Sequence, residues 1–392
     1  MAERHGQLRS VVIRSFRRFS ERYFPEKNGQ SLTSEVEQEA EGSHFGYLDS
    51  LPVDIKFLIM TFLSPVDICN LGATCRYWRA MVRDPLLWRY FLLRDMPHWS
   101  SIDHLTMPNL DMLDAPLVSE HESLEDREEG AETNRELKSD YMSEYLKGCP
   151  SCRQQWLPSR PAYELLTSFL QYLVPSSEPR YAMFGPGMEQ LDVSLVRRLM
   201  YSPDLLPVSG TPHKQINGIG SGISYLFNNK HRFNILTLYS TNRAEREKAR
   251  LQQESINNKL FVFGGTDDSG YPVYTPAPQV QMVCQEVDGF IYVANAEPEK
   301  GDGASEVSQI RAVLNCVGDS LAKPLLVLSC ISREPEEVTG GAKCRTPCVY
   351  MARRLGLPQL SNRWMVQDAV AESLSGVLDG IAWLLKSSGV KI

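Results

Sequence analysis

The chain has 392 residues, 42% of them hydrophobic and 23% charged, and a formal net charge of −7. That composition is globular, with length for two or three domains. No apolar run reaches the roughly 20 residues that a bilayer helix needs, the Arg-rich start lacks the apolar core of a secretory signal, and no general basic surface exists, so neither a membrane nor a nucleic acid is expected as partner.

Residues 8–24 repeat Leu8, Val12, Phe16, Phe19 and Tyr23 at spacings of three and four, with Arg9, Arg14, Arg17, Arg18 and Arg22 between them. The spacing predicts a helix for packing or self-association. Glu3, Glu21 and Glu26 weaken a mitochondrial presequence; disorder and a membrane-surface helix stay open. Residues 27–46 are polar and read as a linker. Residues 51–96 then carry several short apolar stripes. Leu51, Ile55, Leu58, Ile59 and Phe62 make the first, and Leu71, Cys75, Trp78 and Val82 make another. Ser64-Pro65 and Asp84-Pro85 are helix starts, a side-chain cap followed by a proline where its missing N–H costs nothing. Four short helices in so few residues cannot bury all their apolar faces among themselves, so some of that surface needs a partner or a neighbouring domain.

Residues 97–159 read as a connector. Nine acids between Glu120 and Asp140 face three bases, which accounts for most of the net charge, and a helix resumes near Tyr141. From residue 160 strands and helices alternate. Helices are expected at 163–173, 188–200, 243–257, 307–314, 349–355 and 370–385. Strands are expected at 181–184, 223–227, 233–239, 290–294, 325–329 and 364–367. Residues 264–278 are glycine- and proline-rich and read as a loop. Apolar strands such as Leu325-Leu326-Val327-Leu328 suit a sheet covered on both faces.

Residues 47–96 resemble an F-box. The match lies in Leu51-Pro52 with Asp54, Ile55, Ile59, Phe62-Leu63, Pro65 with Asp67, Leu71, Cys75-Arg76, Trp78-Arg79, Asp84-Pro85 and Leu87-Trp88. The resemblance implies docking on the Skp adaptor, and through it on cullin and RING subunits, with Leu51, Pro52, Ile55, Ile59, Leu63, Leu71, Cys75, Trp78 and Trp88 as the adaptor-facing set. Some of these must also be core, and the sequence does not divide the two roles. The later order of strands and helices resembles a small-GTPase fold, with residues 287–293 and 324–328 like its fourth and fifth strands and 374–384 like the closing helix of the Arf-like group. The expected class is therefore α+α/β: residues 1–46 as helix and linker, 47–96 as F-box, 97–159 as connector, and 160–392 as a small-GTPase-like domain with a mostly parallel sheet.

The phrases "RDPLLWRYFLLRD", "AMFGPGMEQL", "GIGSG" and "VDGFIYVANAE" resemble the group of F-box proteins that carry such a domain. That resemblance implies a non-catalytic substrate receptor of a ubiquitin ligase, with D-type cyclins and a telomere repeat-binding factor as targets and αB-crystallin as an accessory partner. The amino-terminal segment departs from the group's serine- and proline-rich start.

An enzyme reading meets obstacles. After the first strand stands Gly185-Pro186-Gly187-Met188-Glu189-Gln190, without the Gly-Lys-Ser/Thr that closes a phosphate loop. Pro186 deletes an N–H donor and Glu189 would repel phosphate. Ser240-Thr241-Asn242 stand where a metal-side Asp is expected, and Ser329-Cys330-Ile331-Ser332 where a guanine-reading motif is expected. A divergent GTPase is the alternative reading; no cofactor is expected. Cys149 and Cys152 with Cys344 and Cys348 have thiolate zinc chemistry but mismatched spacing, and read as free cysteines. Nine cysteines, an odd and scattered set, fit a reducing compartment, cytoplasm or nucleus.

The second strand of a small-GTPase sheet lies at an edge. Here that strand falls within residues 216–227, after Gly218, Gly220 and Gly222, and Ile223, Tyr225 and Phe227 are the expected target-binding residues, capturing a partner by strand addition; the alternative is an edge covered by the chain's own connector.

Overall fold

In the computed structural model the described residues are 48, 51–114, 140–152, 178–211, 222–239, 259–267, 270–297, 303–316, 322–334 and 345–392. The expected helices at 8–24, 163–173 and 243–257 lie outside them. The described residues fall into two compact units, one of residues up to 96 with 108–147, the other of 97–107 with 148–392.

The first unit is helical: α1 Val53–Phe62, α2 Pro65–Thr74, α3 Arg76–Val82, α4 Pro85–Asp95, a short α5 Asp111–Asp114 and α6 Tyr141–Gly148. Both expected starts hold. Ser64 Oγ accepts the Asp67 N–H at 3.2 Å. Asp84 Oδ1 accepts those of Leu86 at 2.8 Å and Leu87 at 3.3 Å. Within the stretch read as connector, α6 packs back on α4. Tyr145 lies 5.4 Å from the Trp88 ring and donates to Asp95 at 2.7 Å. Tyr141 donates to the Met112 carbonyl, and Arg89 to that of Leu113.

Burial pushes the Asp84 carboxyl up to about 6, against the pull of the two backbone N–H groups. An acid raised above its unfolded value near 3.9 favours the folded state below that value and loses the contribution as pH rises toward 6. Asp84→Asn keeps a capping oxygen without the charge. Thermal melts at pH 4.5 and 7 are expected to show the variant gaining on wild type at the higher pH; an unchanged difference contradicts this.

The second unit is built on an eight-stranded sheet. Its strands are β1 Ser101–Asp103, β2 Arg180–Phe184, β3 Val208–Gly210, β4 Ile223–Phe227, β5 His231–Thr237, and, after the separate hairpin β6 Phe261–Thr266 and β7 Pro272–Pro276, β8 Gly289–Asn295, β9 Leu325–Ile331 and β10 Trp364–Val370. The order is β1-β10-β9-β8-β2-β5-β4-β3. β10, β9, β8, β2 and β5 are mutually parallel, and β1, β4 and β3 join antiparallel. Every residue of β8 and β9 is buried, which explains their largely apolar sequence, with Asn295 and Ser329 as the buried polar exceptions. The helices are α7 Gly187–Gln190, α8 Leu195–Met200, α9 Pro278–Glu286, α10 Gly303–Asn315, α11 Cys348–Arg354 and α12 Val377–Ser387. Leu191, Leu195, Leu199, Val377, Ile381 and Leu384 share one core with Tyr181, Met183, Ile291 and Val293 of the sheet. On α10, the buried Glu306 accepts from Tyr292 at 3.0 Å and from Arg354 at 3.0 Å.

Several expectations are corrected. The helix expected over 188–200 is two, broken at residues 191–194, where Ser194 caps α8. The last helix begins at Val377, because residues 364–370 complete β10 and Leu374 and Gly376 take positive φ between them. The expected loop at 264–278 holds the β6–β7 hairpin, whose register shifts at Gly265, φ +111°. The strand at 223–227 is not an edge. β3 pairs along its outer side, Val208 opposite Tyr225. The backbone that approaches Gly222 is the chain's own β5, whose Ile235 oxygen would stand 2.8 Å from an added Cβ.

Candidate functional site

The apolar surface of the first unit starts with α1, whose sequence is apolar on two sides. Phe57 and Met60 are buried, with Lys56 and Thr61, toward the unit's interior. Ile55, Ile59 and Phe62, at helical spacing, lie on another face. Ile55 is 43% exposed, Ile59 half-buried and Phe62 72% exposed. α2 adds Val66, 55% exposed.

The interior fixes that arrangement. Lys56 donates to the Tyr77 hydroxyl at 2.9 Å and sits 4.8 Å from its ring centre. A Cβ on Gly72 of α2 would stand 2.4 Å from a Val82 methyl of α3, so the two helices touch at a residue without a side chain. Trp88 is fully buried, donates its indole N–H to the Val82 carbonyl at 2.6 Å and packs on Phe91. Arg94 of α4 donates to the Thr61 carbonyl at 2.9 Å, tying down the carboxyl end of α1 beside Phe62.

The nine residues expected to face an adaptor divide here. Pro52, Ile55 and Cys75 are exposed; Leu51, Ile59, Leu63 and Leu71 are half-buried. Trp78 and Trp88 are buried core, which corrects their place on a docking surface. Phe62, 72% exposed, and Val66, 55% exposed, stand further out than Ile55 at 43% and are not in that set. Phe62 continues the helical spacing of residues 55 and 59 within α1, whereas Val66 follows the extended Leu63 and Ser64 and belongs to α2.

In the second unit, Tyr225 and Phe227 are buried, Tyr225 stacked on Phe233 with centroids 5.8 Å apart, and Ile223 is half-buried. These residues build the core and offer no open strand face, which removes the premise of strand addition there.

The stretch after β2 is closed on itself. Gly185 has φ +125° and an added Cβ would lie 2.6 Å from the Val293 oxygen. The amides of Met188, Glu189 and Gln190 donate to the carbonyls of Gly185 and Pro186 at 2.9–3.2 Å, so those three are spent inside the turn. Gln190 accepts from Asn295 at 3.2 Å, Glu297 accepts the Ser332 N–H at 3.0 Å, and Ser332 Oγ accepts that of Asp192 at 3.0 Å. At the ends of β9 and β10, Arg345 donates to the Ser329 and Ala369 carbonyls, both at 2.7 Å, and lies 3.4 Å from Asp368. Burial raises the Asp368 carboxyl to about 7, with Arg345 and a Ser329 hydrogen bond opposing. Among the described residues, side chains of this protein thus bond to one another at the strand ends where an α/β sheet commonly binds a ligand. Cys348 donates to the Trp99 carbonyl at 3.1 Å, and the Cys149 sulfur lies 3.2 Å from Ser151 Oγ; Cys344 lies outside the described residues.

An F-box-like family model matches residues 48–94, the span of α1 to α4. Over 384 residues the chain is 44% identical to F-box only protein 4 of Bos taurus, covering 97% of this chain and 93% of that protein. The chain belongs to the F-box only protein 4 family. The Homo sapiens and Mus musculus members are 44% and 43% identical over 383 residues, with the same coverage. The family likeness therefore runs through both units and is not confined to the F-box.

Proposed function

We propose that this family member is a non-catalytic substrate receptor of a Skp–cullin–F-box ubiquitin ligase. The observation that carries the reading is α1, apolar on its inner face and again on its outer face, where Ile55 is 43% and Phe62 72% exposed, followed by Val66 of α2, 55% exposed. Burying such side chains contributes about 1.5–3 kcal/mol each, so a partner that covers them gains what the chain alone leaves unused. The outer faces of α1 and α2 dock on the Skp adaptor, which brings cullin and RING subunits. The second unit holds the target near a ubiquitin-loaded conjugating enzyme, and the receptor contributes proximity rather than bond chemistry.

Five parallel strands with the antiparallel β4 beside β5, and α10 and α11 on the crossovers between β8, β9 and β10, support a small-GTPase-like reading of the second unit, to which β1 adds a second antiparallel neighbour beside β10. The self-bonded amides after β2 favour a scaffold over a nucleotide site. D-type cyclins and a telomere repeat-binding factor are the proposed targets, αB-crystallin an accessory partner, and cytoplasm and nucleus the compartments. A homodimer through residues 8–24 belongs to the same proposal; deleting residues 1–28 is expected to lower the mass seen by light scattering, and an unchanged mass removes it.

Reconstitution tests the receptor role. With the Skp adaptor, cullin, RING subunit, ubiquitin enzymes and a D-type cyclin, wild type is expected to support ubiquitin transfer. Leu51→Ala with Pro52→Ala is expected to abolish it while the variant still captures the cyclin. Transfer at the wild-type rate by the double variant contradicts the docking assignment. A stoichiometric guanine nucleotide in the purified chain would favour the GTPase reading instead.

A further inference from the structure

Ser64 lies in the short link between α1 and α2, with the exposed Phe62 before it and the exposed Val66 after it. α1 stops at Phe62 and α2 starts at Pro65, and the two residues between are extended, Leu63 at φ −78°, ψ 156° and Ser64 at φ −72°, ψ 152°. Ser64 is itself exposed, two positions from each of Phe62 and Val66. Its hydroxyl is engaged locally: it donates to Asp67 Oδ2 at 2.6 Å while its oxygen accepts the Asp67 N–H at 3.2 Å.

The chain holds two Ser-Pro pairs, at 64–65 and 202–203. A proline after serine fixes φ and removes an N–H, the two features that a proline-directed kinase can read. Ser202 is half-buried and its carbonyl closes the turn to Leu205 and Leu206. Ser64 is the exposed member of the two and lies on a surface that already has a proposed use.

We infer that Ser64 is a modification site, where phosphorylation by a proline-directed protein kinase turns off adaptor docking; this rests on the docking role proposed above for α1 and α2. In the transfer the γ-phosphorus of ATP forms a bond to Ser64 Oγ as its bond to the bridging oxygen breaks. The hydroxyl proton passes to the kinase's base and ADP leaves.

Two physical consequences follow from the added charge of about −1.5 to −2. The O–H that donated to Asp67 is gone, and a phosphate now faces that carboxylate across a former hydrogen bond. Like charges at such a distance repel, so the first turn of α2, which carries Val66, shifts. Further, a phosphate on Ser64, two residues from each of Phe62 and Val66, must be stripped of water by a partner that buries this link, and an apolar contact repays none of that cost.

The test uses the full chain and the Skp adaptor. Wild type is treated with ATP and a proline-directed kinase and mapped by mass spectrometry. In parallel, phosphoserine is installed at position 64 by codon reassignment, and its Kd for the adaptor is measured by calorimetry beside wild type and Ser64→Asn, which keeps a capping oxygen but cannot be phosphorylated. Phosphate on Ser64, a Kd weakened about tenfold or more by phosphoserine, and near-wild-type binding by Ser64→Asn are expected. Modification of Ser202 with Ser64 untouched overturns the assignment, as does a phosphoserine chain that binds as tightly as wild type. If unmodified wild type fails to bind the adaptor, the docking role falls and the switch with it, while the mass spectrum still decides whether Ser64 is a kinase substrate.

Discussion

Replacing Trp88 by alanine is expected to melt the helical unit and leave the α/β unit folded. The indole is fully buried, touches Phe91 and Tyr145 and donates to the Val82 carbonyl. Truncation removes the packing on two helices and leaves that carbonyl without its donor. Trp→Ala in a core costs about 3–5 kcal/mol, against a total of about 5–15 kcal/mol for a typical domain. The helical unit is small, so its margin is expected at the low end. Hydrogen exchange resolved by peptide is the measurement. Peptides from residues 53–95 and 141–147 are expected to lose protection together, because α6 shares the aromatic cluster, while those from 289–295 and 325–331 keep theirs. Protection retained in 53–95 contradicts the account.

The reciprocal result is expected from Gly376→Ala. Gly376 has φ +76°, and an added Cβ would stand 2.0 Å from the Asp368 carbonyl oxygen. That is backbone of β10, inside the sheet, and cannot swing aside. The left-handed conformation costs a non-glycine residue about 1–2 kcal/mol and the overlap about 1–3 kcal/mol more. The entry to α12 must move, and Val377, Ile381 and Leu384 with it, all members of the core on that face of the sheet. Loss of protection in 364–370 and 377–387 with the helical unit unaffected is the expected pattern; wild-type protection there contradicts it.

Much of this architecture was legible in the residues. Ser64-Pro65 and Asp84-Pro85 marked α2 and α4 because capping is local chemistry, decided within three residues. β8 and β9 were legible because strands covered on both faces must be nearly continuous apolar runs. What escaped was decided at a distance or was too short to carry a period. β1 and β3 are three residues each, and β3 alone turned the expected edge at Ile223, Tyr225 and Phe227 into interior. Pro278 read as loop punctuation, yet it is the first residue of α9, as Pro65 is of α2, here without a side-chain cap before it. The docking set shows the deeper difficulty. Trp78 and Trp88 are apolar like Ile55 and Ile59, and tertiary packing separates them: Tyr145 of α6 and Phe91 lie against Trp88, and Tyr77 lies against Trp78. Phe62 belonged to a recognised stripe, but the stripe does not say that α1 has two apolar faces.

The outer face of α1 and its junction with α2 carry the account, and Phe62→Asp tests them most directly. Phe62 is 72% exposed, so the substitution leaves the unit's own core intact and is expected to change stability by no more than about 0.5 kcal/mol. It places a charge where an adaptor would bury an aromatic ring. Calorimetric titration of the full chain with the purified Skp adaptor is the measurement. Wild type is expected to bind, and Phe62→Asp, with unchanged circular dichroism and melting, to lose at least about 100-fold in affinity, as a central interface residue does. A folded Phe62→Asp that binds the adaptor like wild type would contradict the docking face.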